Sequence, residues 1–195
     1  MPRSTDSNTT LSLTAATLAA LYPDSLSGEE RLNALGSHVL NGLNDGAPLT
    51  LTTAIGSHVT TTLHKDALLR PLDLLVAEIR QLPADATAER YQLLLRPWLW
   101  WLGLASNNRV FQNLATSDIV TTIFKAHGFT DFKLELTGSY SPREYCVQYG
   151  ETDLAFVSRL LEEDGIFWFF THAQGTHTLV LADNNDAFAP IPNGP

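Results

Sequence analysis

The sequence predicts an α+β fold, in which an antiparallel, barrel-like β unit is followed by an α/β segment with two short helices. Two observations support this prediction. In the first half of the chain, segments with strand-like alternation follow one another across short polar loops, as in an antiparallel sheet or small barrel. In the second half, two segments with helical spacing of apolar residues lie between further strands. A length of 195 residues allows one sizeable domain or two small ones.

The barrel-like unit is expected over residues 11–108, after a disordered tail at residues 1–10. Alternation and residue type predict three of its strands, at residues 57–64, 71–82 and from residue 91 onward. Pro97 ends or bends the third strand, because proline cannot donate a hydrogen bond to a ladder. The leucines and threonines of residues 11–22 permit a strand and the alanines permit a helix, so both alternatives stay open there.

A short helix is predicted within PDSLSGEERLNAL, which follows the ambiguous segment. Ser27 can cap this helix, because a serine hydroxyl accepts a hydrogen bond from a free backbone N–H of the first turn. Glu29 and Glu30 then lie in that turn, where the helix dipole favours negative charge.

The α/β segment is expected over residues 109–183. A helix is predicted at residues 116–129, with Ser117 as its N-cap and Gly128 just past its C-terminal end. Residues 131–138 alternate between apolar and polar side chains, which predicts a half-buried strand after this helix.

The stretch REYCVQYGETDLAFVSRLLEEDGIFWFF begins as a second such strand. Its alternation sets Tyr145, Val147 and Tyr149 against Glu144, Cys146 and Gln148. Gly150 is expected to break the strand, Thr152 to cap a helix, and Gly165 to close that helix.

A hairpin of two strands is predicted next, at residues 166–170 and 177–183. Residues 184–195 are expected to be a linker, since three prolines in the last six residues usually mark a connection. We expect this linker to lead to C-terminal parts that the chain lacks.

Composition excludes several classes of partner. The formal net charge is -9, from 12 basic and 21 acidic residues, and no cluster of lysine and arginine is present. Nucleic acid and anionic membranes are therefore not expected partners. No apolar run approaches the roughly 20 residues of a transmembrane helix. The polar start MPRSTDSNTT has no apolar core, so no secretory signal peptide is predicted.

The single cysteine and the carboxylates of the stretch invite a catalytic interpretation. A nucleophilic Cys146 would need a base within hydrogen-bond reach, and the nearest histidines along the chain lie about one segment away. On a half-buried strand, a lone cysteine is expected to act as a small apolar residue. Glu162, Glu163 and Asp164 are expected on the solvent face at the end of the second helix. Arg159 is close enough to pair with Glu162 or Glu163.

The six histidines show no HExxH pattern and have no cysteine partners, so no metal ion or cofactor is expected. His172 and His177 flank a hairpin loop and could face each other, but two ligands make a weak site and surface histidines are expected. Trp98, Trp100 and Trp101 could form a ligand platform, although core or interface packing is favoured.

Several motifs resemble the N-terminal hub region of VgrG proteins, the spike of type VI secretion, which is similar to the hub (late control D) proteins of contractile phage tails. They are YQLLLRPWLWWLGL, NRVFQN with SDIV, HTLVLAD, and the long run HGFTDFKLELTGSYSPREYCVQYGETDLAFVSRLLEEDGIFWFF. The resemblance is dense from Tyr91 to Asp183. It is looser from SLSGEERLNAL through RPLDLLVAEIRQL.

The resemblance implies a structural protein rather than an enzyme, with a phage-tail-hub-like fold that this chain holds incompletely. It implies a homotrimer that docks on the tail tube protein (Hcp) and contacts baseplate components. It also implies assembly in the bacterial cytoplasm, then secretion through the type VI apparatus without a cleaved signal peptide. Candidate residues for the assembly and fold signature are Trp98, Trp100, Trp101, Tyr145, Val147, Tyr149, Phe156 and Leu160.

The chain departs from the family pattern at three places. Asp73-Leu74 stands where the family usually has His-Gly, and GSHVL follows LNAL where aromatic and charged residues are usual. Gly150 stands where arginine is common. Two alternatives to a spike component stay open. One is a degenerate or truncated homologue that acts only as a binding or adaptor module, and the other is a cell-wall-active enzyme.

Overall fold

The chain is mainly β-stranded, with few helices, in a computed structural model that describes residues 9–46, 48–65, 68–83 and 88–188. The described residues group into two compact units. The first contains the chain up to Glu30, Leu35–Pro97 and His172–His177; the second contains Arg31–Ala34, Trp98–Thr171 and the chain from Thr178 onward. The predicted boundary at residue 108 leaves out His172–His177, a hairpin tip from the second half of the chain that belongs to the first unit.

The first unit is a curled six-stranded sheet in which neighbouring strands run antiparallel. Its strands are β1 (Thr9–Thr14), β2 (Tyr22–Arg31), β3 (Ala34–Asn44), β4 (His58–Lys65), β5 (Leu68–Leu82) and β6 (Glu89–Arg96). Their order across the sheet is β1-β4-β5-β6-β3-β2. The three predicted strands are confirmed as β4, β5 and β6, and β6 ends immediately before Pro97. A short helix, α1 (Leu51–Ala54), precedes β4.

The core of the first unit consists of the side chains that alternate onto one face of the sheet. Tyr91, Leu93 and Leu95 of β6 are fully buried, while the residues between them are partly exposed. The register of β5 against β6 shifts between Val76 and Glu78, which marks a β-bulge. Bulges bend a strand and increase its twist, so this irregularity favours the curl of the sheet.

The strand β2 replaces the helix predicted around Ser27. A loop of two residues joins β2 to β3, and its second residue, Asn33, has a left-handed φ of 56° that suits a tight hairpin. The helix prediction was wrong because hydrogen bonding to β3 holds the backbone extended, and Glu29 and Glu30 are exposed on this edge strand.

The structure decides between strand and helix for residues 11–22, where the sequence allowed both. Thr9–Thr14 form β1, and a 3-10 turn at Ala16–Leu18 follows, with Leu18 buried. The tail predicted at residues 1–10 therefore loses its last two residues to β1. Its remaining residues, 1–8, lie outside the described residues.

The second unit combines two small sheets with two helices and a 3-10 segment, Trp98–Leu104. The elements are β7 (Ser106–Phe111), α2 (Thr116–Ala126), β8 (Phe132–Glu135), β9 (Cys146–Thr152), α3 (Asp153–Glu163), β10 (Phe167–Ala173) and β11 (Thr176–Ala182). β7 pairs antiparallel with β9, and β11 lies between β10 and β8. The hairpin prediction is confirmed by β10 and β11. The predicted linker begins with a 3-10 turn at Asn185–Ala187, and residues 189–195 lie outside the described residues.

Both predicted helices are present, and three of their four predicted end signals are confirmed. Gly128 and Gly165 follow the ends of α2 and α3 with φ of 82° and 69°, and the Thr152 hydroxyl accepts from the Ala155 N–H at 3.1 Å. Ser117 is not the N-cap of α2, because the helix begins one residue earlier and Ala115 occupies the cap. Within the described residues, no helix is long and apolar enough to cross a membrane.

The sequence predicts that Gly150 ends its strand, and this prediction is wrong. β9 continues to Thr152, and its register against β7 shifts between Asn107 and Asn108. Gly150 is the extra residue of this bulge, with φ of 63°, and its N–H donates to the Asn108 side chain at 2.9 Å. Glycine adopts this left-handed backbone without the steric penalty of a side chain. The glycine therefore makes a bulge instead of a strand end.

Candidate functional site

A buried carboxylate, Asp73, is the centre of a polar cluster in the first unit. Its Oδ1 accepts hydrogen bonds from the Nδ1–H of His58 at 2.7 Å and of His177 at 3.0 Å. Its Oδ2 accepts from the Thr60 hydroxyl at 2.7 Å. Thr60 of β4 lies opposite Asp73 of β5, and His58 is two residues from Thr60 on the same strand face, so these three side chains meet across the sheet. The hairpin tip contributes His177.

Further hydrogen bonds hold this cluster in place. The backbone N–H of Gly175 donates to the Thr60 hydroxyl oxygen at 2.9 Å. The Nδ1 of His172 lies 2.8 Å from the backbone carbonyl oxygen of Asp73, and its Nε2 lies 2.7 Å from a carboxylate oxygen of Glu30. The side chain of Thr60 is therefore fixed by the same hairpin tip that supplies His177.

The hydrogen bonds decide the charge of Asp73. Burial raises the pKa of this carboxyl, but the hydrogen bonds from His177, Thr60 and His58 outweigh burial and hold the pKa below its ordinary value. Burial lowers the pKa of His177, although the neighbouring carboxylate opposes this shift. At neutral pH the cluster therefore holds an ionised carboxylate beside a neutral, buried imidazole.

Sequence reasoning missed this cluster. The surface position expected for His177 is wrong, because the residue is 1% exposed. Asp73 precedes His177 by 104 residues and His58 precedes Asp73 by 15, so no local spacing motif joins the three. The available signal is an aspartate within the apolar run PLDLLVA of this strand, since a buried carboxylate requires partners.

A second buried carboxylate, Asp153, organises polar contacts in the second unit. It accepts from the Nε2 of His127 and of Gln148, each at 2.7 Å. Asn107 and Arg109 of β7 donate to it at 2.9 and 3.2 Å. Burial raises the pKa of Asp153, but the hydrogen bonds from Gln148, His127 and Asn107, with the charge of Arg109, more than reverse this and lower it. The network ties α3 to α2, β7 and β9.

Cys146 has the environment of a packing residue. It is 7% exposed, and burial raises the pKa of its thiol, which lowers the thiolate fraction at neutral pH. Glu163 pairs with Arg143 at 2.6 Å and with Arg159 at 3.2 Å, so the expected pairing with Arg159 is confirmed. These contacts join the helix end to its surroundings without forming a nucleophile and base.

Asp183 holds a turn of the second unit. Its carboxylate accepts from the backbone N–H groups of Thr137 and Gly138 and from the Tyr140 hydroxyl at 2.8 Å. The backbone hydrogen bonds lower the pKa of Asp183, while burial and the bond to Asp183 raise the pKa of Tyr140 to about 12.

The candidate signature residues divide by exposure. Trp98 is 2% exposed and stacks on Phe129, with ring centroids 4.6 Å apart. Phe156 and Leu160 of α3 are fully buried. Trp100 and Trp101 are half-buried, with their rings in edge contact at 5.0 Å. The remaining members are exposed: Tyr145, Val147 and Tyr149.

Val147 and Tyr149 lie on β9 and Tyr145 immediately precedes it, and one exposed residue of β7 extends this surface. Val110 of β7 pairs directly with Val147 of β9. Val110 is 55% exposed, Tyr145 60% and Tyr149 84%. We call Val110, Tyr145, Val147 and Tyr149 the β7–β9 apolar face. The inward side of β9 carries Cys146 and Gln148, so the alternation of this strand buries its small or polar residues and exposes its large apolar ones.

The sequence matches a protein family described as the phage tail baseplate hub (GPD), over residues 29–195. The chain therefore belongs to this family. Its relatives include two type VI secretion system spike proteins of Pseudomonas aeruginosa. It is 38% identical to VgrG1b over 169 residues, which are 86% of this chain and 23% of that protein. It is 40% identical to VgrG1c over 159 residues, which are 81% of this chain and 22% of that protein.

A solved structure shows the same fold. The Escherichia coli c3393 protein is described as a component of the type VI secretion system with structural similarity to the T4 bacteriophage tail proteins gp27 and gp5. It superposes with a TM-score of 0.83 at 24% identity, over 92% of this chain and 51% of that one. The chain thus spans about a quarter of the length of the spike proteins above and about half of this structure.

Proposed function

We propose that this chain is the N-terminal hub region of a type VI secretion spike, which trimerises and docks on the tail tube for contractile delivery of effectors. Membership of the baseplate hub family and similarity to two spike proteins support a structural role. In this proposal the chain has the α+β hub architecture, and further parts of the hub complete it. Assembly takes place in the bacterial cytoplasm, before release through the apparatus without a cleaved signal peptide.

The observation that supports trimer formation is the β7–β9 apolar face. Exposed large apolar side chains on neighbouring strands are typical of an interaction surface. Tyr149 is the most exposed of them, at 84%, and tyrosine gives large contact area for little loss of rotamer freedom. We assign this face to the contact between copies of the chain, while the buried Trp98, Phe156 and Leu160 hold the fold that presents it.

The proposed partners are the tail tube protein (Hcp) and baseplate components. No catalytic step is assigned to the chain, since Cys146 is buried with a raised thiol pKa. The buried carboxylates of Asp73 and Asp153 accept hydrogen bonds from residues of their own units. The proposed chemistry is therefore burial of apolar surface and pairing between protein surfaces.

The test is the mass of the purified chain by light scattering, alone and with the tail tube protein. We expect a mass three times that of the 21.4 kDa chain. Tyr149→Asp places a charge in the proposed contact and should return the mass to that of one copy. Tyr22→Asp is the matched control, because Tyr22 is also exposed, at 61%, but lies on β2 of the other unit.

Two results would contradict the proposal. One is a single-copy mass for the unaltered chain at high concentration and in the presence of the tube protein. The other is equal dissociation by Tyr149→Asp and Tyr22→Asp, which would move the contact away from the β7–β9 apolar face.

A further inference from the structure

We propose that His58, Asp73 and His177 of the first unit form a binding site for a divalent transition metal ion, with Zn²⁺ as the matching probe. One potential ligand atom from each of the three residues lies within 4.8 Å of those of the other two. Two imidazoles and one carboxylate are a donor set that Zn²⁺ uses in proteins, with a water molecule in the fourth position.

The distances suit a small movement of the ligands onto an ion. Zinc binds imidazole nitrogen and carboxylate oxygen at about 2.0–2.2 Å, so two ligands of a tetrahedral ion lie about 3.3 Å apart. The Nδ1 atoms of His58 and His177 lie 2.7 and 3.0 Å from Asp73 Oδ1. Each therefore needs to withdraw by only a few tenths of an ångström, while the proton on Nδ1 moves to Nε2.

The surroundings orient the ligands as metal sites require. Thr60 donates to the second carboxylate oxygen of Asp73 at 2.7 Å and is itself held by the Gly175 N–H. Such outer contacts fix ligand orientation and raise metal affinity.

An entry path is present on the His58 side. The side chain of His58 is 45% exposed, whereas those of Asp73 and His177 are fully buried. A cavity of about 240 Å³ is lined by His58, Thr60 and Gly175 among others. This space can admit a hydrated ion and hold the water molecule that completes its coordination.

The bound ion would fasten three segments that are far apart in the sequence. His58 belongs to β4, Asp73 to β5, and His177 to the hairpin tip, 104 residues after Asp73. The proposed role is structural, and it goes beyond spike assembly, because neither trimer formation nor docking on a tube requires it.

The test is equilibrium dialysis of the full chain, purified without a histidine tag and stripped with chelator, against Zn²⁺ at micromolar concentrations. We expect one ion per chain. His58→Ala removes the exposed ligand and should weaken binding at least tenfold. His64→Ala is the matched control, because His64 lies on the same strand and bonds to Ser12 away from the cluster, and its affinity should equal that of the unaltered chain.

Replacement of Zn²⁺ by Co²⁺ gives a second readout, since a low-coordinate nitrogen and oxygen site produces intense visible absorption that His58→Ala should abolish. Circular dichroism checks that the variant folds, and His58→Gln serves if the alanine variant does not. The proposal is overturned if the unaltered chain takes up no stoichiometric Zn²⁺. It is equally overturned if His58→Ala and His64→Ala bind with the same affinity, since the cluster is then held by hydrogen bonds alone.

Discussion

Replacement of Asp153 by alanine should destabilise the second unit strongly while leaving the first unit folded. Asp153 is fully buried, and its carboxylate accepts hydrogen bonds from Asn107, Arg109, His127 and Gln148. Alanine removes the negative charge at the centre of this network and the acceptor that the four side chains share, and of these donors Gln148 also bonds to the backbone carbonyl of Glu151. Removing one partner of a buried ion pair typically costs about 3–5 kcal/mol, and we expect a loss of that size.

Tryptophan fluorescence in urea measures this loss selectively. The chain has 4 tryptophans, and all of them belong to the second unit. The matched control is Glu162→Ala, which removes an exposed carboxylate from the end of the same helix. Exposed substitutions of this kind usually change stability by less than about 0.5 kcal/mol. A loss below about 1 kcal/mol for Asp153→Ala would refute the reasoning, because it would show that the network is balanced by desolvation.

The stability lost in Asp153→Ala is expected to depend on pH. The pKa of Asp153 is lower in the folded chain than its ordinary value, since hydrogen bonds and the Arg109 charge favour the ionised form. Its contribution to stability is therefore complete above the unfolded pKa, about 3.9, and is lost as pH falls through the folded pKa. The difference in unfolding free energy between the unaltered chain and Asp153→Ala should narrow on acidification below about pH 4. A constant difference would contradict the assigned charge state.

Three further predictions concern the second unit. Gly150→Ala should destabilise it by about 1–2 kcal/mol in the same fluorescence assay, because Gly150 has φ of 63°; Gly103→Ala, at a glycine with ordinary φ, is the control and should lose less. Cys146 should react with a thiol reagent only slowly in buffer and fast in denaturant, since the thiol is buried with a raised pKa; fast labelling of the folded chain would be inconsistent with this. Asp183→Ala should lower the pKa of Tyr140 from about 12 in an ultraviolet titration, with Tyr140→Phe identifying the signal, and an unchanged pKa would assign the shift to burial alone.

The elements that could be predicted from the sequence are those fixed by local signals. The strand β4 and the hairpin of β10 and β11 follow from alternation, and α3 follows from the Thr152 cap and Gly165. Each of these signals acts within a few residues of the element it defines. The hub resemblance also depended on the long run that contains α3, and family membership confirms it.

The features that could not be predicted depend on partners far along the chain. The segment around Ser27 has the composition of a helix start, but pairing with β3 makes it an edge strand. Gly150 signals an interruption, but only the register of β7 shows that the interruption is a bulge. The Asp73 cluster joins residues from β4, β5 and a hairpin tip, so its geometry follows from the sheet order and not from any spacing.

The two buried aspartates have a common feature that bears on how the fold is specified. Asp73 and Asp153 are each fully buried, and most of their partners lie 13 or more residues away. A buried ion pair is weak support for stability, since desolvation offsets its attraction, but a wrongly placed buried charge is strongly unfavourable. Any pairing of β5 or packing of α3 that separates these carboxylates from their donors is therefore energetically unfavourable. We infer that the two residues favour a unique arrangement of strands and hairpin within their respective units.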